Sequence, residues 1–377
     1  MQAHFISKIK STLLPIFLYL LFLFIFLETA ARFCIANSKF FDYIRQGEYV
    51  SDSKWRLEWI KRKVDEKGNP KMDFFYAKHD PLLGWRLTPN IDKVQTFYEK
   101  ELTTNSKGIR SKVEYNYQRP AGKVRILILG ESFTFGTEVG DEETYPYYLQ
   151  KILPSAEVIN FGVFGYGFDQ MLLYLKEEGL KYNPDIVIIP FLEIDKNRSL
   201  LGFRDYAKPY FVIENHKLSL KNVPIAAPEE TYKNEFFRSK LIDIIKIVHR
   251  NILVKTGAYQ KQEDEINQAI FHELVDTIKN AGAVPVFAYL QGIRDVIKKQ
   301  TMSEKDSKFF EYWDKEGVHC IYLLSYIREV NAMQIKAMGL EGKTVAVQRK
   351  HGHFSPRENN IIAVGIKDYL SKNHLIP

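Results

Sequence analysis

Cysteine is scarce: Cys34 and Cys320 are the only two in 377 residues. Two thiols cannot build a disulfide framework, so a small cross-linked secreted scaffold is excluded, and a single bridge would need an oxidising compartment. Internal repeats and low-complexity tracts are also lacking. The formal net charge is +7, but no stretch interleaves basic with aromatic side chains. Short runs such as Lys61-Arg62-Lys63 and Lys298-Lys299 read as solvated surface, or as attraction to anionic lipid or acidic polysaccharide, and no nucleic-acid partner is expected. Long hydrophobic runs are absent too, with one exception.

That exception is Ser11 to Leu27, which carries no charge and is dominated by Leu, Phe and Ile. As a helix it spans roughly 26 Å, close to the thickness of a hydrocarbon layer. The apolar character extends to about Phe33. Lys8 and Lys10 precede it, whereas Glu28, Arg32, Lys39, Asp42 and Arg45 mix both signs after it, so the sharper positive flank is N-terminal. This favours a single-pass anchor with its N-terminus inside and its body outside the plasma (inner) membrane, on the periplasmic or extracytoplasmic side. The competing reading is a cleaved signal peptide, for which Thr29-Ala30-Ala31 supplies small residues.

With 45% hydrophobic residues the chain has material for a sizeable core. The reading divides it into a cytoplasmic tail (1–10), an anchor (11–33), a membrane-proximal extension (34–122) and a main domain (123–377) with an insert at about 198–260. In the extension, turn signals occur at Lys67-Gly68-Asn69-Pro70 and Thr88-Pro89-Asn90, and Asp80 to Trp85 reads as a packed turn. From Val124 the pattern alternates. Val124–Leu129, a short aliphatic run, and the apolar Asp185–Pro190 predict fully buried parallel strands, and Glu157–Phe161, Ala283–Leu290 and Val318–Leu323 read as further strands. Helical patterns fall at Thr144–Leu153, Met171–Leu180, Glu263–Asn280 and Pro356–Leu370. This predicts an α/β fold, a mostly parallel sheet with helices on both faces.

Ligands of such sheets bind at the carboxyl ends of the strands, and three segments there are candidates. The first is Leu129-Gly130-Glu131-Ser132-Phe133-Thr134-Phe135-Gly136. Ser132 directly follows the first strand, where its hydroxyl can serve as nucleophile and its N–H as an oxyanion donor, or where it merely caps a helix. It is not a Gly-x-Ser-x-Gly elbow, because residue 134 is Thr. The second, Asn160 to Gly167, holds Gly162, Gly165 and Gly167, suited to close backbone approach or to a structural turn. The third is His351-Gly352-His353-Phe354-Ser355-Pro356, just before the last helix. A histidine here could act as general base, lie on the surface, or join a zinc site, although no carboxylate or cysteine cluster accompanies the pair.

Gly130-Glu131-Ser132, Asn160 to Gly167 and Gly352-His353-Phe354-Ser355-Pro356 together resemble, in order, the blocks of SGNH (GDSL-like) hydrolases. Leu83-Gly84-Trp85-Arg86 and Asn105 to Arg110 look like the lead-in of membrane-anchored bacterial members. The likeness runs from about Val124 to the C-terminus. It implies a flavodoxin-like α/β/α sandwich and a serine esterase or acyltransferase working on acyl esters. Ser132 would be nucleophile, His353 base, and the N–H groups of Ser132 and Gly165 the oxyanion hole. No cofactor or metal is implied. A polysaccharide or lipid-linked sugar of the envelope would be a natural substrate.

The sequence departs from the family pattern at three positions. Glu131 stands where Asp is usual. Ile194 stands where the family places an Asn that completes the oxyanion hole, and isoleucine cannot donate. His351 occupies the usual position of the acid, two residues before the base, and a neutral imidazole cannot stabilise an imidazolium as a carboxylate does. Ile194 and His351 motivate the alternative expectation of a catalytically degenerate SGNH domain that binds a glycan or a partner protein.

Overall fold

The computed structural model describes residues 2–37, 39–40, 51–62, 76–96, 98–290, 302–323 and 352–377. The chain forms two compact units, one from residues 1–71 and 227–261, the other from 72–226 and 262–377.

The larger unit is built on five parallel strands: β1 (Val124–Gly130), β2 (Ala156–Gly162), β3 (Ile186–Phe191), β4 (Val284–Tyr289) and β5 (His319–Tyr322). Their order across the sheet is β5-β4-β3-β1-β2, the doubly wound arrangement with the chain changing direction between β1 and β3. Apolar runs such as Ile126–Leu129 and Ile186–Ile189 form the middle of the sheet because both faces are covered there. Ile126, Ile128, Ile186, Ile188, Val286 and Ala288 alternate onto one face, where helices α4 (Tyr145–Ile152) and α11 (Pro356–Lys372) bury them. Phe191 and Phe287 point to the other face. There they meet Phe271 of α9 (Ala258–Asn280), and Phe287 also meets Trp313 of α10 (Glu304–Lys315), at ring separations of 5.4–5.9 Å. The expected fold class, an α/β three-layer sandwich with one N-terminal apolar helix, is therefore present.

Some boundaries shift. The helix expected at Met171–Leu180 is α5 (Phe168–Glu177), followed by a 3-10 turn at Gly179–Tyr182. The long helix starts at Ala258, five residues before Glu263.

The division of the chain at 122/123 is not one the structure makes. Residues 76–122 pack with the sheet: the buried Trp85 donates from Nε1 to the Phe164 carbonyl (3.0 Å), and Tyr117 donates to Glu178 Oε1 (2.7 Å). Asp80 Oδ1 accepts from the Leu82 and Leu83 N–H groups, which makes the anticipated packed turn. Nor is the insert one piece. Residues up to 226 belong with the sheet, and 227–261 belong with the N-terminal unit.

In that smaller unit α1 (Gln2–Ala36), α2 (Asp52–Arg62), α7 (Pro228–Phe237) and α8 (Lys240–Lys255) come together. Ile35, Leu57 and Ile247 form its apolar centre. Ser53 Oγ bonds Asp243 Oδ1 at 3.1 Å, and Arg56 pairs with Glu235 at 2.6 Å. Within α1, Leu13–Ala36 is long and apolar enough to cross a membrane. Both cysteines are free thiols. Burial pushes the Cys320 thiol up to about 12, so it is expected to resist alkylation of the native protein at pH 8 and to react only after denaturation, as mass spectrometry of iodoacetamide-treated samples would read.

Candidate active site

At the end of β1 the chain turns directly into the four-residue helix α3 (Ser132–Phe135). Glu131 caps it, its Oε1 accepting from the Phe133 N–H at 3.0 Å. Ser132 is thus the first residue of a helix, where a backbone N–H has no intrahelical acceptor. The end of β2 closes against this turn. The Val163 N–H donates to the Gly130 carbonyl (3.0 Å), and Gly162 lies so near α3 that a Cβ there would come within 2.3 Å of the Phe135 nitrogen. Gly162→Ala is therefore expected to push the serine turn off the sheet, lowering turnover far more than substrate binding, as a kcat-against-KM comparison would show.

Gly165 sits in the next turn at φ +78°, a conformation that needs glycine. No hydrogen bond among the described residues uses its N–H. Asn160, at the head of this loop, is committed elsewhere: its Nδ2 donates to the Thr134 carbonyl and its Oδ1 accepts from the Gly162 N–H.

His353 arrives from the far end of the chain. Ser355 caps α11, with Ser355 and Glu358 in a reciprocal capping box and Pro356 in the first turn. This fixes where the helix begins and leaves His353 two residues ahead of the cap. Its Nε2 is 2.9 Å from Ser132 Oγ. The structure thus brings together two side chains that are 221 residues apart in sequence. Phe133 packs beside the imidazole at 4.8 Å and beside Phe354 at 4.6 Å.

The other imidazole nitrogen meets a residue that the sequence reading passed over. His353 Nδ1 is 2.6 Å from Glu138 Oε1, and the same oxygen accepts from the Gly352 N–H (3.0 Å) and the His353 N–H (3.2 Å). His351, read as standing in the acid's place, lies outside the described residues; the carboxylate on the described histidine is Glu138. Glu138 follows Ser132 by six residues rather than preceding His353 by two.

Arg110 holds the loop that presents Glu138. Its guanidinium donates to the carbonyls of Phe135 (2.7 Å), Gly136 (2.6 Å), Val139 (2.8 Å) and Glu101 (3.1 Å), and pairs with Asp141 Oδ1 (3.0 Å). Burial lowers its pKa, with Asp141 opposing. No chemistry was visible in the extension from sequence; the Asn105 to Arg110 lead-in supplies this clamp.

Ser132 Oγ also lies 2.5 Å from Glu131 Oε2. One hydroxyl proton faces two acceptors. With a proton on Nδ1 toward Glu138, a neutral imidazole leaves Nε2 bare and able to accept from the serine. A doubly protonated ring instead donates to Oγ and turns the hydroxyl toward Glu131. Only the neutral ring with Nδ1 protonated can accept the serine proton at Nε2.

Behind Glu131 lies a buried charge cluster on α6 (Glu193–Arg198). Arg198 Nη1 bonds Asp195 Oδ1 (2.6 Å) and the Tyr166 carbonyl (3.3 Å), and lies 3.5 Å from Glu131 Oε2. Burial raises the Asp195 carboxyl well above its ordinary value, with Arg198 opposing and Glu131 reinforcing the rise. A carboxyl raised in this way holds its proton more readily in the fold than in the unfolded chain. Its contribution to stability is complete below the unfolded value and declines as pH climbs through the folded one. Asp195→Asn, which mimics the neutral form, is expected to gain stability relative to wild type as pH rises above the ordinary carboxylate range, as urea titrations would show.

Ile194 is 46% exposed on the same helix and has no donor to offer. Asn197, three residues along, is close to one helical turn further on the same side of α6. Among the described residues no group of three or more His, Cys, Asp or Glu could hold a metal.

No family model and no curated protein matches the chain. Solved structures do. The psychrotrophic esterase EstA from Pseudoalteromonas sp. is 15% identical, with 67% of this chain and 99% of that one covered and a TM-score of 0.36. Axe2, an acetylxylan esterase from Geobacillus stearothermophilus, is 15% identical over 67% of this chain and 96% of that one, with a TM-score of 0.38. A GDSL-like lipase from Bacteroides thetaiotaomicron VPI-5482 is 12% identical, with 68% and 92% covered and a TM-score of 0.35.

Proposed function

We propose that this chain is a serine ester hydrolase or acyltransferase of the SGNH type, tethered by α1 to a membrane. The observation that carries the reading is the relay Ser132 Oγ, His353, Glu138, with its two contacts of 2.9 and 2.6 Å. Geometry of this kind lets a weak nucleophile act at neutral pH. Its residues, not a metal, are assigned the chemistry.

In the proposed reaction Ser132 Oγ attacks the ester carbonyl carbon while His353 Nε2 takes the hydroxyl proton. Glu138 keeps Nδ1 protonated and stabilises the imidazolium. The carbonyl oxygen, now an oxyanion, accepts from the Ser132 and Gly165 N–H groups. Collapse breaks the bond to the alcohol, which leaves with the proton from Nε2. Water, or a sugar hydroxyl in the transferase case, then attacks the acyl-enzyme with His353 again as base. With Ile194 where a third donor is usual, two backbone donors carry the oxyanion. Removing one donor from such a hole typically costs about 2.7–4 kcal/mol, so slow turnover is expected. An acylated envelope glycan or lipid-linked sugar suits an enzyme tethered at a membrane.

A fluorophosphonate probe tests the reading. Wild type should label at Ser132 and Ser132→Ala should not; a folded wild-type protein that stays unlabelled would return the chain to the class of binding domains.

A further inference from the structure

The segment 227–261, whose role the sequence leaves open, ends up beside the membrane helix. Glu28 is the first charged residue after the apolar run and lies directly past Leu27. Its carboxylate accepts from Ser239 Oγ (2.6 Å) and from the N–H groups of Lys240 and Leu241 (3.0 Å each). The start of α8 is therefore fastened to the outer end of the span, with the helix N-terminus neutralising a carboxylate that would be costly near lipid. Arg32, paired with Glu28, donates to the Phe236 and Arg238 carbonyls. Seven residues beyond Glu28 is Ile35, seven beyond Lys240 is Ile247, and these two side chains share a cluster. The helices therefore run side by side in the same direction for roughly 10 Å.

What α8 leaves uncovered is unusual for a water-facing helix. Ile242, Ile245, Val248 and Ile252 are 45–55% exposed, and Phe236 and Phe237 just before it are 71% and 84% exposed. At 100° per residue the four aliphatic positions form one stripe about 120° wide. The charged residues classed as exposed on this helix, Lys246 and Lys255, are both basic. Its lone acid, Asp243, is buried against Ser53 and Arg238. A stripe of aliphatic side chains flanked by lysines suits the boundary between acyl chains and anionic headgroups. It also continues the apolar surface of α1, which stays exposed as far out as Phe33 (77%). A level set by Phe33 places Phe237, Ile242 and Ile245 at the edge of the hydrocarbon, with Val248 and Ile252 among headgroups.

We infer that Phe236, Phe237 and the stripe on α8 are a second lipid contact, a companion helix sunk into the outer boundary of the bilayer beside the span. This rests on the anchor reading of α1. The occupant is lipid rather than a second protein, because the stripe adjoins surface already facing acyl chains and carries no exposed acid.

The test uses the full-length protein in phosphatidylcholine–phosphatidylglycerol vesicles, in a Cys34→Ala background, since Cys320 is buried. Single cysteines at Phe22, Phe237, Ile245 and Lys246 are labelled with an environment-sensitive fluorophore. Quenching is measured with iodide from water and with lipid spin-labelled near the headgroup; retained probe labelling at Ser132 shows that each variant is folded. Labels at Phe237 and Ile245 should be quenched by the lipid and several-fold less by iodide than the label at Lys246. A lipid-facing Phe22 beside iodide-accessible Phe237 and Ile245 overturns the inference and leaves the anchor standing. Protection of Phe237 and Ile245 from both quenchers overturns it as well, because a protein surface then covers the helix. Iodide access at Phe22 removes the anchor, and the companion helix with it.

Discussion

Glu138→Gln is expected to lower the rate of ester hydrolysis by about 10⁴-fold, the scale seen when a triad carboxylate is replaced by its amide. The reason is the tautomer. Glu138 Oε1 faces Nδ1 of His353 at 2.6 Å and also receives the Gly352 and His353 N–H groups. A carboxylate there accepts only, so Nδ1 must carry the proton and Nε2 must be bare toward Ser132. An amide can present its NH2 group instead, which would place the ring proton on Nε2 and leave nothing to take the serine proton. It also removes the charge that stabilises the imidazolium. His351→Ala, by contrast, should leave the rate within a few-fold of wild type. Steady-state hydrolysis of a short-chain aryl ester by both variants decides between the two residues. Equal large losses, or a large loss at His351 alone, would sink the assignment of Glu138.

The same pair of residues shows what a sequence carries. The central strands were legible because a strand buried on both faces is apolar along its run, as Ile126 to Leu129 and Ile186 to Ile189 are. Ser132 and His353 were legible because each sits in a short block whose turn chemistry is local: a capped four-residue helix for the serine, a Ser355–Glu358 capping box for the histidine. Glu138 had no such mark. Nothing in Thr137-Glu138-Val139-Gly140 distinguishes a catalytic carboxylate from a solvated one; it becomes distinct through Arg110, 28 positions earlier, and through His353, 215 positions later. The role of residues 227–261 was hidden for a related reason. A stripe at 242, 245, 248 and 252 can be found by periodicity, but the hydrogen bonds of Glu28 to Ser239 and its neighbours join elements more than 200 residues apart. Polar, aromatic composition does not reveal that Trp85, Arg110 and Tyr117 pack with the sheet unit.

Arg110→Met is expected to destabilise the larger unit by about 3–5 kcal/mol, the range for breaking a buried ion pair by removal of one partner. Arg110 is 5% exposed, and its guanidinium serves four carbonyls besides Asp141. Methionine fills much of the same volume but leaves those acceptors, and the Asp141 carboxylate, without donors in a buried place. Arg110→Lys should recover only part of the loss, because one ammonium cannot span the positions that a planar fork reaches at once. The loop between Phe135 and Asp141 carries Glu138, so its loosening should also reach the site. A merely structural role would lower the unfolding midpoint while the folded fraction kept its native kcat. A clamp on Glu138 predicts more: at temperatures where Arg110→Lys is still fully folded, kcat falls, KM stays near wild type, and adding Glu138→Gln to that variant costs less than it does in the wild type. Full additivity of the two substitutions would separate Arg110 from the chemistry and leave it a part of the fold alone.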